Sequence, residues 1–258
     1  MPLKTNITNL KPARQVYKQE ITLLSKGYYN KQAFPEGKIT VYPWDTDIEE
    51  WFLKRLRKPN KNRALWELSA KLAELNGCPY EDLTVGDVNT ILLVARSIQR
   101  KNVVQFTSIC PRCDHPDNET LKIPDELVKV AEKEANYPGY DEIVLPESKD
   151  IVRLRPLQIK DEILITDRSP KNKAELSDEL AHQLIPIVSI GGGQPDNIQE
   201  LVTWWHALHP LDKKYYETQQ NELWPHLETS VRLRCGECQF EFRHQLNLDS
   251  DFFRASGT

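Results

Sequence analysis

Hydrophobic residues recur with helical spacing in several stretches of the chain. In residues 62–75, NRALWELSAKLAEL, they fall three or four apart and predict a helix closed by Gly77. The segment from 84 to about 100 repeats this pattern and begins with Thr84 or Asp87 as its cap. Four more helices are predicted: one opening at Asp45 or Asp47, one after 157, one from 177 until Pro186, and one carrying Trp204 and Trp205. A last one covers 210–224.

Other stretches alternate apolar and polar residues or break at glycine and proline, which indicates short strands. Residues 21–44 predict strands around turns, and residues 103–108 predict a strand leading into a cysteine pair. DEIVLPESKDIVRL predicts a β-hairpin, and the stretch around Cys235 and Cys238 predicts another. The expected class is therefore α+β, a mostly helical body with short β-hairpins and a zinc-ribbon module.

The order of these patterns divides the chain into five parts. The polar, aperiodic residues 1–20 are expected to form an extended N-terminal arm, and residues 249–258 a C-terminal tail. Between them we predict strands plus a helical region at 21–101 and a hairpin plus helical region at 125–228. The ribbon is discontinuous and combines 102–124 with 229–248.

Composition and charge narrow the classes of function. The 258 residues are 39% hydrophobic and 28% charged, with a net charge of −4. This balance gives no general attraction to nucleic acids or anionic membranes. No apolar run reaches the roughly 18–20 residues that span a bilayer, and the first 20 residues lack the apolar core of a signal peptide. We expect a cytoplasmic protein that keeps its thiols reduced.

Four of the five cysteines form two C-x-x-C pairs, Cys110 with Cys113 and Cys235 with Cys238. Strand-like residues flank both pairs, as in zinc ribbons, where two such turns supply the four ligands of a tetrahedral Zn²⁺. A redox dithiol or no metal at all are the alternatives, and iron would accept the same four sulfurs. Four thiolates leave no open coordination position, so the expected role of the metal is structural.

The neighbours of the cysteines and the remaining polar motifs add little chemistry. His115 and His244 lie near the pairs, but a full cysteine set makes them unnecessary as ligands. The flanking Arg112, Arg232 and Arg234 are expected to be solvated, to pair with nearby acids or to offset the negative charge of the site. IGGGQPD lacks the Gly-Lys-Ser/Thr of a phosphate loop, and no acid–nucleophile arrangement stands out. We therefore expect no enzymatic activity.

Exposed aromatic residues are the candidates for contact with partner proteins. They are Trp44 and Trp51 near the first helix, Trp205 on a late helix, and Phe252 with Phe253 near the end. For the Trp204–Trp205 pair, we assign Trp204 to the core and Trp205 to a partner.

An ordered set of segments resembles one family. LLSKGYYN and GKITVYPWDTDIEEWFL come first, then LTVGDVNTILLVARSI before CPRC, then IVLPESKDIVRLRPLQIKDE, and last CGEC followed by LNLDSDFF. From about residue 21 to 253, this order is similar to the baseplate hub and hub-assembly proteins of T-even-type contractile-tailed bacteriophages. LPESKD departs from the family because it lacks the glycine that often turns this hairpin.

The resemblance implies a non-enzymatic protein that helps to build the baseplate hub through contacts with other phage hub and tail proteins. It implies a place in the host cytoplasm during assembly and, for incorporated subunits, in the tail baseplate of the virion. The alternative function is a zinc-ribbon regulator that binds nucleic acid, although no basic run with interleaved aromatic residues supports it. A metal-dependent enzyme is a third, less favoured hypothesis.

Overall fold

The computed structural model describes residues 17–27, 29–57, 60–100, 103–122, 140–169, 176–223, 227 and 229–246. Residues 1–16 of the predicted arm and the whole predicted tail, 249–258, lie outside these ranges. The helices are α1 (Thr46–Arg55), α2 (Lys61–Leu72), α3 (Val85–Arg100), α4 (Ile159–Thr166), α5 (Asp178–Leu184), α6 (Ile198–Ala207) and α7 (Pro210–Leu223). The strands are β1 (Gln19–Thr22), β2 (Lys38–Val41), β3 (Val103–Ile109), β4 (Pro116–Lys122), β5 (Asp141–Val144), β6 (Ile151–Leu154), β7 (Ile187–Ile190), β8 (Ser230–Arg234) and β9 (Glu241–Gln245).

The strands of the described part form four small antiparallel sheets: β1–β2, β3–β4, β5–β6–β7 and β8–β9. Helices make up most of the remaining regular structure, so the predicted α+β class is confirmed. The arm was predicted to extend through residue 20, whereas β1 already begins at Gln19 and pairs with β2.

Side-chain caps fix the starts of the N-terminal helices. The Asp45 carboxylate accepts a hydrogen bond from the Ile48 N–H at 2.8 Å, and Asn60 accepts one from Arg63 at 3.0 Å. At α3, the Thr84 hydroxyl accepts from the Asp87 N–H at 3.1 Å. Each cap satisfies a backbone donor that the first helical turn leaves unpaired. Of the predicted alternatives, Asp45 and Thr84 are thus the caps.

The first hydrophobic core lies among β1, β2 and α1–α3. The apolar faces of α2 and α3 meet there, and Leu68, Leu72 and Ile91 are fully buried. Ile159, at the start of α4, joins the same core and ties the later half of the chain to it.

The second core lies between the β5–β6–β7 sheet and helices α5–α7. Tyr216 of α7 is fully buried against Trp204 and Trp205 of α6. The sequence predicts helix until Pro186 and no strand after it, but α5 ends at Leu184 and Ile187–Ile190 pairs with β6. Short strands of this kind depend on a partner that lies far away in sequence, here more than 30 positions upstream in β6.

The third core joins the two cysteine-bearing hairpins to the N-terminal helices. Along β8 the side chains alternate, with Val231 and Leu233 buried and Arg232 and Arg234 exposed. The buried members pack with Leu24 and with Leu93 of α3. We call β3–β4 and β8–β9, with the turns between their strands, the ribbon; its four strands fall within the predicted stretches 102–124 and 229–248.

Candidate metal centre

Each ribbon hairpin ends in a tight turn that begins with a buried cysteine. In the first turn, the Cys110 N–H donates to the His115 carbonyl at 3.0 Å, and the Asp114 N–H returns to the Cys110 carbonyl at 2.9 Å. Asp114 has a φ of +58°. The Arg112 N–H points at the Cys110 sulfur at 3.4 Å. This geometry places the Cys110 and Cys113 thiols on one side of the hairpin.

The second turn repeats the two backbone–backbone hydrogen bonds of the first. The Cys235 N–H donates to the Phe240 carbonyl, the Gln239 N–H returns to the Cys235 carbonyl, both at 3.0 Å, and Gln239 has a φ of +59°. The Cys238 N–H lies 3.5 Å from the Cys235 sulfur. Two equivalent turns therefore present two cysteines each.

The two turns face each other, and the four sulfurs form one cluster. Sγ of Cys110 is 3.6 Å from Sγ of Cys238, and Sγ of Cys113 is 3.6 Å from Sγ of Cys235. All four sulfurs lie within 4.8 Å of one another. A tetrahedral metal with sulfur at about 2.3 Å requires sulfur–sulfur separations of about 3.8 Å, while a disulfide requires about 2.05 Å. The four predicted cysteines are thus positioned to hold a metal ion.

The thiols of the cluster differ in acidity. Burial opposes ionisation of the Cys110 thiol, but the N–H groups of Arg112 and Cys113 stabilise its thiolate and lower its pKa to about 7. The N–H of His115 favours the Cys113 thiolate, but the Cys238 sulfur and burial raise the pKa of Cys113 to about 12. Ionisation of the Cys110 thiol is therefore favoured, whereas that of the Cys113 thiol is opposed. A cation bound among the four sulfurs would favour the ionised form of all of them together.

Other contacts join the two hairpins beside the sulfur cluster. The Gly236 N–H of the second turn donates to the Asp117 carboxylate of β4 at 3.0 Å. A Cβ at Gly236 would lie 3.0 Å from that carboxylate, so the contact favours glycine there. Phe106 and His244 stack across the ribbon with ring centroids 5.1 Å apart. His244 is occupied in this way and His115 lies 3.5 Å from Asp117, and neither belongs to the cluster.

A third turn has the same backbone pattern without cysteines. In the β5–β6 hairpin, the Leu145 N–H donates to the Asp150 carbonyl and the Lys149 N–H returns to the Leu145 carbonyl. Lys149 has a φ of +63°, in the position held by Asp114 and Gln239 in the other two turns. Here Leu145 stands in the place of the first cysteine.

In the third turn, backbone N–H groups point at a carboxylate, whereas in the two cysteine turns they point at sulfur. The N–H groups of Glu147 and Ser148 donate to the buried Asp212 of α7 at 2.7 and 2.9 Å. Burial opposes the charge of Asp212, but these N–H groups favour it and hold the pKa below its ordinary value. The hairpin is therefore held to a helix by an acid, whereas the ribbon hairpins present sulfur to each other.

The aromatic residues predicted to contact partners are placed differently from expectation. Trp44 and Trp205 are each 7% exposed and pack in the first and second cores, which corrects their assignment to a partner surface. Within the Trp204–Trp205 pair the roles are reversed, because Trp204 is the half-buried member and donates to Asp150. Trp51 is half-buried beneath Lys71 and stays a prediction. Phe252 and Phe253 lie outside the described residues.

Sequence reasoning missed Asp117 and Asp212, because nothing in the local sequence distinguishes an aspartate that accepts hydrogen bonds from a distant turn from a solvated one. Cys78, the fifth cysteine, lies outside the sulfur cluster. Cys78 is half-buried, and desolvation, followed by the charges of Asp82 and Asp87, raises its pKa to about 11.

Comparisons of the chain with protein-family models, curated proteins and solved structures gave no match. The resemblance to baseplate hub proteins therefore stays a prediction. Among the described residues, no helix combines the length and the apolar character needed to cross a membrane.

Proposed function

We propose that this chain is a non-catalytic structural or assembly protein whose ribbon is closed by one Zn²⁺. The single observation that carries the proposal is the cluster of four sulfurs from two equivalent turns. The ligands Cys113 and Cys235 lie 122 positions apart, so a bound ion would link distant parts of the chain directly. Loop-closure entropy rises only logarithmically with length, and the intervening segment does not oppose the link strongly.

The donor set supports a structural role for this ion. Four protein sulfurs complete a tetrahedron and leave no position for water or substrate, whereas catalytic zinc keeps one position open. Zinc is favoured over other divalent metals because four soft thiolates in a tetrahedral arrangement suit it. Iron accepts the same donors, and optical absorption separates the two, because d¹⁰ Zn²⁺ is colourless.

Cobalt substitution tests the structural role. Co²⁺ in the site is expected to show the strong absorption of a closed four-sulfur tetrahedron, unchanged when azide or another small ligand is added. A spectrum that shifts with added ligand would reveal an open position and would support the metal-dependent enzyme instead.

The proposed biological role is assembly of the baseplate hub of a contractile phage tail, with other hub and tail proteins as partners in the host cytoplasm. The resemblance of the ordered segments supports it, and so does a donor set suited to fixing shape. An affinity-tagged copy, expressed during infection by the phage that carries the gene, should recover tail and hub proteins identified by mass spectrometry. Recovery of no tail protein, together with genomic neighbours unrelated to tails, would refute the role.

A second candidate, a nucleic-acid-binding regulator, is favoured by one observation, the three exposed arginines on β8 and β9. It predicts tight binding to DNA or RNA at low salt, with affinity falling steeply as salt rises. The net charge of −4 argues against it. Weak binding at low salt would eliminate this candidate.

A further inference from the structure

The outward face of the β8–β9 hairpin carries an arginine cluster, Arg232, Arg234 and Arg243, which we call the arginine face. Strand alternation puts all three on the side opposite the buried Val231 and Leu233, and all three are exposed. A shallow cavity of about 470 Å³ lies along this hairpin and is lined by the three arginines together with Glu241.

The strand register places like charges directly opposite each other. Arg232 lies directly opposite Arg243, and Arg234 lies directly opposite Glu241. Like charges at directly opposed positions of an antiparallel pair are destabilising. The Arg232–Arg243 pair therefore weakens the isolated hairpin instead of holding it together.

None of the three arginines has an ion-pair partner within 4.0 Å among the described residues, and Glu241 does not pair with Arg234 despite lying opposite it. Arginines elsewhere do form such pairs: Arg55–Glu67, Arg153–Glu142, Arg155–Asp161 and Arg168–Asp178. Of the alternatives predicted for Arg232 and Arg234, exposure to solvent agrees with the structure, whereas pairing with acids is not seen among the described residues. In the part of the chain that the structure describes, the three exposed guanidinium groups on this face thus lack a carboxylate partner.

We propose that the arginine face docks an acidic segment of a partner protein, with carboxylates at alternate positions of an extended chain. Arg232 and Arg234 are two residues apart on one strand, so they lie about 7 Å from each other along β8. Glutamate or aspartate at positions i and i+2 of an extended segment has the same spacing. The planar guanidinium binds a carboxylate through two parallel hydrogen bonds, which makes arginine well suited to this contact.

The face fits a peptide better than a nucleic acid. Proteins that bind DNA through its backbone neutralise about 6–10 phosphates, and this face offers three arginines with Glu241 among them. The acidic balance of the whole chain repels a long polyanion but has little effect on a short acidic segment, because salt screens charges beyond about 8–10 Å.

This inference rests on the closed ribbon of the proposed function, since β8 and β9 flank the second cysteine turn. It does not require the partner to be a phage protein. Metal content and peptide binding are measured on the same samples, so a failure of the metal centre is distinguishable from a failure of the docking face.

The test uses the zinc-loaded full chain and a fluorescein-labelled peptide of about ten residues with alternating glutamate and threonine. Fluorescence anisotropy compares it with a glutamine–threonine peptide and with single-stranded DNA of equal charge. The variant Arg232→Gln/Arg243→Gln is set against Arg57→Gln/Lys214→Gln, which removes the same charge from exposed residues elsewhere. Arg232→Lys/Arg243→Lys keeps the charge and removes the planar donor pair.

We expect the acidic peptide to bind, the arginine-to-glutamine variant to bind at least about tenfold more weakly, and the control variant to stay within about threefold of the unmodified chain. The affinity of the lysine variant should lie between those of the arginine-to-glutamine variant and the unmodified chain. The arginine-to-glutamine variant should also have a higher melting temperature, since it relieves the Arg232–Arg243 repulsion, whereas removal of a structural contact would lower it. Absence of peptide binding, equal losses in both glutamine variants, or tighter binding of the DNA would each overturn the proposal.

Discussion

Replacing one ligand on each turn tests the metal centre most directly, because the first cysteine of each turn is buried and the second is more exposed. Cys235 is fully buried, whereas Cys113 is exposed. In Cys113→Ser, water can reach the vacated position and complete the coordination of zinc. In Cys235→Ser, the hydroxyl lies where no water enters, and a hydroxyl is a poorer ligand for zinc than a thiolate. Both variants should lose affinity, and Cys235→Ser should lose more.

The expected size of the loss follows from a closed set of four sulfurs. Structural zinc sites in small peptides contribute about 10–16 kcal/mol at neutral pH. If the four ligands share this equally, removal of one weakens zinc binding by roughly two to three powers of ten. We expect the loss of zinc affinity to lie near the lower end of this range for Cys113→Ser, because water substitutes for the ligand. For Cys235→Ser we expect a loss at the upper end or beyond.

Competition with a chromophoric chelator measures zinc affinity, and elemental analysis measures the stoichiometry. Cys78→Ser is the matched control, since it removes the one cysteine outside the cluster and should leave both quantities unchanged. The reasoning fails if Cys235→Ser retains full affinity, if Cys78→Ser loses metal, or if Cys113→Ser is the more damaging of the two ligand variants.

Three further predictions concern the framework around the site. Leu93→Ala should lower the free energy of unfolding in urea by about 2–5 kcal/mol, because Leu93 joins α3 to the ribbon core. Zinc stoichiometry should stay at that of the unmodified chain, since Leu93 is not among the sulfur ligands. A loss of stability below about 1 kcal/mol would contradict this packing role. The pKa of Asp212 is lowered in the fold, so its stabilising contribution is present above about pH 4, the ordinary carboxyl range, and is lost as pH falls through the lower folded pKa. Asp212→Asn should therefore lower the melting temperature at pH 7, and the melting temperatures of the variant and the unmodified chain should converge in acid. A difference in melting temperature that stays constant across pH would refute this role of Asp212. Lys149→Gly should stabilise the chain by up to about 1 kcal/mol, since Lys149 has a φ of +63°, whereas Lys149→Ala should give no gain.

The sequence predicts best what depends on neighbouring residues. Helix α2 follows from its own leucine spacing and begins beside Asn60, but it ends at Leu72 and not, as predicted, near Gly77. The strands of the ribbon follow from alternation next to cysteines. The cysteine spacing predicts the ligand set because one ion needs four sulfurs and the chain has two matching pairs. In each case the physical cause lies within a few residues, where a pattern can be read directly.

Prediction is weaker where a side chain is defined by a distant partner. Trp204 and Trp205 are adjacent on one helix, and the pattern alone does not tell which faces the core. The answer depends on Tyr216, which packs against both rings, and on Asp150, which accepts the Trp204 N–H. Burial of Trp44 depends likewise on its edge-on contact with Phe52. Partner surfaces inferred from aromatic residues alone therefore carry less weight than the arginine face, which is exposed in the fold.

The three equivalent turns show why cysteines reveal only part of this architecture. CPRCDH, LPESKD and CGECQF share their backbone hydrogen bonds and a positive φ at the fifth residue, yet only two of the three carry the cysteines that predict a binding site. In LPESKD the donor groups are satisfied by Asp212, which is 64 positions away from Ser148 and belongs to α7. A shared turn can thus be held in two ways. An ion bound by the two cysteine turns would join hairpin to hairpin, while the carboxylate joins a hairpin to a helix. The two links should respond to different perturbations, with chelation opening the ribbon and acid releasing the β5–β6 hairpin.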